Sequence, residues 1–300
     1  MEYTVLRKSG LKVSRLGLGG APFGSGFGPM DDEAAVRTIH AAIDAGVTFL
    51  DTAPAYGDSE LRYGKALAGG KRSQIVLATK AVRRGEAYSH ANTLASVERS
   101  LQRLGTDWID LIQLHEAETT TFEEGLHGTL EAFARLKEQG KVRAIGVNAR
   151  RLSILKPYIE TGLLDTVQIY CKYTLIDYEA VDELFPLARE HNVQVINGSP
   201  LCMGILADHP ASFMNKDPQL LAEAEGRVRQ LDFLRHSEPY GLVEPAMRFS
   251  LSCDDIAVSL SGSTSPEMIR GNAAYCDGRG LQEEDQRRVL SLFAGQPLWR

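Results

Sequence analysis

Cysteine is scarce. The 300 residues hold four, Cys171, Cys202, Cys253 and Cys276, far apart and without a C-x-x-C pair. So few in a chain of this size argue against a disulfide scaffold, and reduced, mostly buried thiols are expected. The seven histidines show no H-E-x-x-H or other ligand spacing, so no metal centre is expected. A formal net charge of −6 and the lack of any basic stripe argue against nucleic-acid and anionic-membrane partners. The apolar runs fall far short of a membrane span, and the opening MEYTVLRKSG has no apolar signal core. These absences leave a cytoplasmic, small-molecule protein, monomeric or a small homo-oligomer, as the expectation.

What the chain has is alternation. Short apolar runs at 15–20, 47–51, 75–80, 109–115, 142–148, 166–170, 193–199 and 256–262 are continuous and do not alternate with polar residues, as in strands covered on both faces. Amphipathic stretches separate them. The segment 31–46 opens on acids and closes on Gly46. Further helices are predicted at 59–68, 92–105, 129–141, 152–162, 178–192, 222–236 and 266–276. Strand then helix, eight times, predicts an α/β protein with a closed (β/α)8 TIM barrel, one domain over residues 1–300; a doubly wound open sheet is the smaller competitor. Residues 3–13 predict a β-hairpin turning at Ser9-Gly10 that plugs the barrel bottom, and 281–293 an extra C-terminal helix. The stretch 207–220 reads as a long polar loop on the active rim.

Four polar groups sit where barrel active sites are built, at the C-terminal strand ends. Asp51 ends FLD, Tyr56 follows in the next loop, Lys80 ends LATK and His115 ends LIQLH. Singly, each has an ordinary structural reading: a helix cap, a packed ring, a solvated ammonium, a core hydrogen-bonder. Jointly, they sit on adjacent strands. A phenol titrates near pH 10, too high for easy proton exchange. A carboxylate-held ammonium beside it is expected to lower that value and make Tyr56 a general acid or base, with His115 orienting the substrate oxygen.

Over nearly its whole length the chain resembles the aldo-keto reductase superfamily. The carrying segments are FLDTAPAYGDSELRYGKAL, LATK, SLQRLGTDWIDLIQLH, GKVRAIGV and SPLCMG. The resemblance implies a catalytic tetrad of Asp51, Tyr56, Lys80 and His115 and a nicotinamide dinucleotide bound without a Rossmann domain. It also implies cofactor contacts from Asn148, Gln168, Tyr170, Ser199, Leu201, Gly204, Gly262, Ser263 and Asn272. Several positions depart from the pattern. Asn148-Ala149 replaces the usual Ser-Asn, and Gly198 stands where a ring-stacking Tyr is common. Tyr170 is a candidate for that stacking and competes with Gln168 for the usual Gln role. Counted back from Asn272, the cationic positions of NADP-preferring relatives are Gly262 and Met268. A 2′-phosphate would find no partner there, so NAD is expected over NADP, with Arg270 the nearby exception. YCKYTL and INGSPLCMG look most similar to the branch of L-galactose and L-fucose-type aldose 1-dehydrogenases, which oxidise a sugar's anomeric hydroxyl to a lactone.

Three rivals are weaker. A Rossmann enzyme needs G-x-G-x-x-G, whereas GLGGAPFGSG places Pro22 at the third glycine, and no tyrosine has Lys four places on as a short-chain dehydrogenase requires. An NADPH-dependent carbonyl reductase would share the fold. A nucleotide-binding regulatory subunit would not need an intact tetrad.

Overall fold

The computed structural model describes residues 1–24, 28–83, 85–236 and 241–299, with Phe213 described by its backbone alone. The last two residues of the glycine-rich run at 17–26 lie outside them. Strands β1 (Tyr3–Leu6) and β2 (Leu11–Ser14) form the antiparallel hairpin. Eight parallel strands then close a barrel: β3 (Leu16–Gly19), β4 (Phe49–Asp51), β5 (Val76–Ala81), β6 (Ile109–Leu114), β7 (Val142–Asn148), β8 (Thr166–Tyr170), β9 (Gln194–Gly198) and β10 (Ile256–Ser261), with β10 pairing β3. Each lies within two residues of its predicted run, because burial on both faces writes a legible apolar string.

Two concentric cores hold the barrel. Inside it, Leu6 and Val13 of the hairpin pack with Phe49, Val76, Leu111 and Ile196, so the hairpin is the predicted plug. The larger core lies between the strands and the surrounding helices. These are α1 (Asp32–Asp44), α2 (Ser59–Leu67), α3 (His90–Leu104), α4 (Glu131–Glu138), α5 (Leu152–Glu160), α6 (Ala180–Glu183), α7 (Phe185–Glu190), α8 (Pro218–Arg229), α9 (Val243–Leu251), α10 (Pro266–Ala274) and α11 (Glu283–Leu292). Local chemistry sets their ends: Asp31 and Ser89 cap α1 and α3 through Ala34 N and Asn92 N, and left-handed Gly105 closes α3.

Two helix predictions are corrected, and two helical segments are not among those predicted. The stretch 178–192 is two helices, α6 and α7, broken at Leu184 ahead of Pro186. The helix predicted at 222–236 begins four residues earlier, at Pro218, within the supposed polar loop, which also holds a 3-10 turn at Ser212–Lys216. The helix that packs on β10 is α9, which the sequence reading missed. Before α4 the chain runs as a π-helix over Glu124–Leu130, where two glycines suggest a loop. A Cβ at Gly128 would lie 1.8 Å from Tyr88 O, so that close approach is what the glycine permits.

Beyond α11 the chain crosses to the loop after β8. There Asp177 Oδ2 accepts the Leu298 and Trp299 N–H groups at 2.9 and 3.1 Å, and Lys172 donates to Trp299 O. Among the described residues all four cysteines are free, and no helix is long and apolar enough to cross a membrane.

Candidate active site

Side chains of a strand alternate between its two faces. Phe49 lies in the inner core, so Asp51, two residues on, points up the same bore. The same step leads from Ala78 to Lys80 and from Leu111 through Gln113 to His115. Register makes Lys80 and Gln113 direct partners, then Gln113 and Gly146, with Asn148 beside Gln168.

The centre is a buried ion pair. Lys80 Nζ donates to Asp51 Oδ1 at 2.8 Å, to Asp51 Oδ2 at 2.7 Å and to Thr52 O at 3.0 Å. These use all three ammonium hydrogens. Burial pulls Lys80 down and pushes Asp51 up, and their mutual attraction opposes both shifts. Above the pair lies Tyr56, half-buried, its ring centre 5.1 Å from Lys80 Nζ and 5.6 Å from the His115 ring, which meets it edge-on at 88°. The predicted tetrad is therefore gathered at one rim.

The expected acidification of Tyr56 is not found. Burial pushes its phenol well above the ordinary value, and the carboxylates of Asp51 and Glu116 push it further. The main physical reason is burial of the phenol; the bidentate pair adds to it by setting the Asp51 charge directly against the ammonium. The glycines near β3 serve this arrangement and not a phosphate loop: a Cβ at Gly20 would lie 2.7 Å from Asp51 O, and one at Gly24 2.3 Å from Tyr56 O.

The cofactor candidates fall into two groups around the rim. On one side Asn148 Nδ2 donates to Gln168 O at 3.1 Å while its Oδ1 accepts Glu116 N–H at 3.3 Å, so the backbone holds this amide. Gln168 is buried, whereas Tyr170, two residues on, is half-buried at the strand end. A Cβ at Gly198 would already approach Tyr170 Cβ to 3.1 Å, so the missing side chain there gives Tyr170 its place. Opposite, Ser261, Ser263 and Asn272 form a buried neutral chain, Asn272 Nδ2 reaching the two hydroxyls at 2.8 and 3.2 Å. A Cβ at Gly262 would lie 3.2 Å from Pro22 Cγ, Met268 is exposed, and exposed Arg270 faces Glu267 at 3.9 Å. Between the groups, the loop after β9 has left-handed residues at Ser199, Cys202, Met203 and Gly204. It includes Leu201, and its Cys202 and Gly204 N–H groups are taken by Ser199 O and Leu201 O at 2.8 and 3.0 Å. A half-buried ring, a backbone-held amide and a neutral amide–hydroxyl chain fit a dinucleotide. Among the described residues no group of three or more His, Cys, Asp or Glu could hold a metal.

The sequence reading missed Gln113, which joins Asp51 to Gln168. The available signal was its place two residues before His115, on the same strand face.

A closed parallel barrel with a lysine–carboxylate pair under a phenol at its strand C-termini defines a barrel enzyme equipped for proton transfer. Residues 15–292 match the aldo/keto reductase family. The chain belongs to that family and is an NAD(P)-dependent oxidoreductase. It is 32% identical to the L-galactose dehydrogenase of Arabidopsis thaliana, over 98% of this chain and 94% of that one. It is 30% identical to the NADH-specific methylglyoxal reductase of Escherichia coli strain K12, over 91% and 93%. The holo form of aldo-keto reductase AKR11C1 from Bacillus halodurans superimposes with a TM-score of 0.79 at 29% identity, over 96% of this chain and 95% of that one.

Proposed function

We propose that this protein oxidises the anomeric hydroxyl of a cyclic aldose, L-galactose, L-fucose or a related sugar, to its lactone with NAD. Tyr56 exchanges the proton. The carrying observation is the assembly of Tyr56 and His115 above the Lys80–Asp51 pair at one rim. The similarity to L-galactose dehydrogenase supports the sugar. A bound NAD, held at the rim by residues of β8 and of the loops after β9 and β10, would supply the acceptor for the C1 hydride. The ionised form of Tyr56, scarce near pH 7 because burial raises the phenol, takes the hydroxyl proton at Oη, and the C1 oxygen becomes the lactone carbonyl. His115 donates toward that oxygen and orients it. The Lys80–Asp51 pair keeps the floor of the site fixed and nearly neutral.

Gln168, Asn148 and Tyr170 would hold the nicotinamide end, Ser199, Leu201 and Gly204 the diphosphate, and Gly262, Ser263 and Asn272 the adenosine. Neutral atoms around the last three support NAD over NADP. The packing of the hairpin and of Leu298 and Trp299 on the same barrel supports reading residues 1–300 as one domain, and a cytoplasmic location belongs to the same proposal.

A second reading draws on the raised phenol: a neutral Tyr56 is a better proton donor than acceptor near pH 7, which favours carbonyl reduction, the reaction in the name of the Escherichia coli relative. The test is growth of reduced-nicotinamide absorbance with NAD and L-galactose, L-fucose, L-glucose, D-arabinose or L-arabinose. Turnover of one sugar supports the first reading. No turnover of any sugar, with brisk NADH consumption on methylglyoxal, overturns it.

A further inference from the structure

Gln113 ties the ion pair to the amide near the end of β8. Its Nε2 donates to Asp51 Oδ1 at 3.2 Å and to Gln168 Oε1 at 2.9 Å. An ionised carboxylate only accepts, so the Gln113 amide must turn its NH2 toward Asp51. That same NH2 also faces Gln168, which must answer with its carbonyl oxygen. Gln168 also donates to Asp51, so one carboxylate sets the direction of both amides, directly and through Gln113. The geometry has a visible cost: Gln113 Oε1 is buried without a partner. It also has a built path, for Gly146, the register partner of Gln113 on β7, contributes no side chain. A Cβ there would lie 3.1 Å from Gln113 Cγ.

We propose that Gln113 is a positioning residue that carries the acceptor polarity of Asp51 across β7 to Gln168 and so fixes which atom of the Gln168 amide is turned to the dinucleotide. This rests on the reading above that Gln168 holds the nicotinamide end. The charged and titratable groups acting with Asp51 are Lys80 on β5, Tyr56 after β4 and Tyr63 on α2, with His115 and Glu116 after β6 set around Tyr56. Glu60 on α2 lies behind, occupied by Thr79 and Arg103.

Gln113→Leu removes both donations. NADH affinity, titrated by fluorescence with no turnover required, should weaken about 2- to 10-fold, the size of one hydrogen bond's effect. Asp51 loses a donor to its charged form, so the acidic limb of kcat/KM should move up by about one pH unit. KM for the dinucleotide should rise more than kcat falls, a split that general loosening of the core would not give. Gln113→Glu, of equal size and polar, keeps the test alive where Leu disturbs folding: a second carboxylate beside Asp51 should move the limb further.

A folded variant with wild-type NADH affinity and an unmoved limb overturns the proposal. So does Gln168→Leu with wild-type affinity, which removes its premise. An enzyme that oxidises no sugar sinks the aldose reading but leaves the binding arm informative, and the limb is then read on methylglyoxal.

Discussion

Lys80 lies over the face of Tyr56 with all three of its hydrogens directed elsewhere, two to Asp51 and one to Thr52 O. The ammonium therefore acts on the phenol only through its field, and the adjacent carboxylate cancels much of that field. Tyr56 stays protonated through the neutral range.

A protonated phenol gives the two directions opposite pH behaviour. Reduction needs the neutral form, which exists below the raised phenol value, so reductive kcat should be flat from about pH 6 to pH 10. Oxidation needs the phenolate, so oxidative kcat should climb across the same range. Tyr56→Phe should lower both by about 10²- to 10⁴-fold while dinucleotide binding stays near wild type. An oxidative limb centred near pH 7 would show that the phenol is acidified after all.

Lys80→Met leaves the Asp51 carboxylate buried and unpaired, at a cost of about 3–5 kcal/mol. Thermal melting should fall by several degrees. Adding Asp51→Asn removes the stranded charge, and the double variant should recover most of that stability while staying inactive. The cycle separates the two roles of the pair. If the double variant melts no higher than Lys80→Met, the loss comes from packing around the lysine stem and not from the charge.

NAD preference can be probed at one exposed position. Met268 is 46% exposed, so Met268→Arg meets no packing conflict, whereas a long side chain at Gly262 must displace Pro22. An arginine there would meet a 2′-phosphate with a charge-assisted contact. KM for NADP should fall about tenfold with KM for NAD little changed. Equal effects on both dinucleotides would place the 2′ position elsewhere.

The barrel was legible because its strands are covered on both faces, and Asp51, Lys80 and His115 because each ends such a run; Tyr56 lies in the loop that follows Asp51. Gln113 was not: its neighbours in sequence are apolar, and its partners Asp51 and Gln168 lie 62 and 55 residues away. Helix α9 escaped because Gly241 and Pro245 bracket its start and suggest a loop, yet its buried Met247, Phe249 and Leu251 find the barrel wall. The acidity of Tyr56 was misjudged for a related reason. Sequence places a lysine and an aspartate near a tyrosine, but it shows neither the burial of the phenol nor the bidentate geometry that opposes the two charges.

Tyr158 offers a stability test away from the site. Its hydroxyl is buried without a partner, and a Cβ on Gly125 would stand 2.0 Å from it. Burial pushes the phenol up to about 12. An unpartnered buried hydroxyl costs about 1–3 kcal/mol, so Tyr158→Phe should be neutral or raise stability by about 1 kcal/mol. Because the folded value lies above the unfolded one near 10, the contribution of the neutral phenol is complete below about pH 10 and is lost as pH rises toward 12. The Phe variant should lose stability less steeply over that interval in denaturant melts. A destabilised variant at pH 7 would mean that the hydroxyl has a partner in solution, such as a bound water.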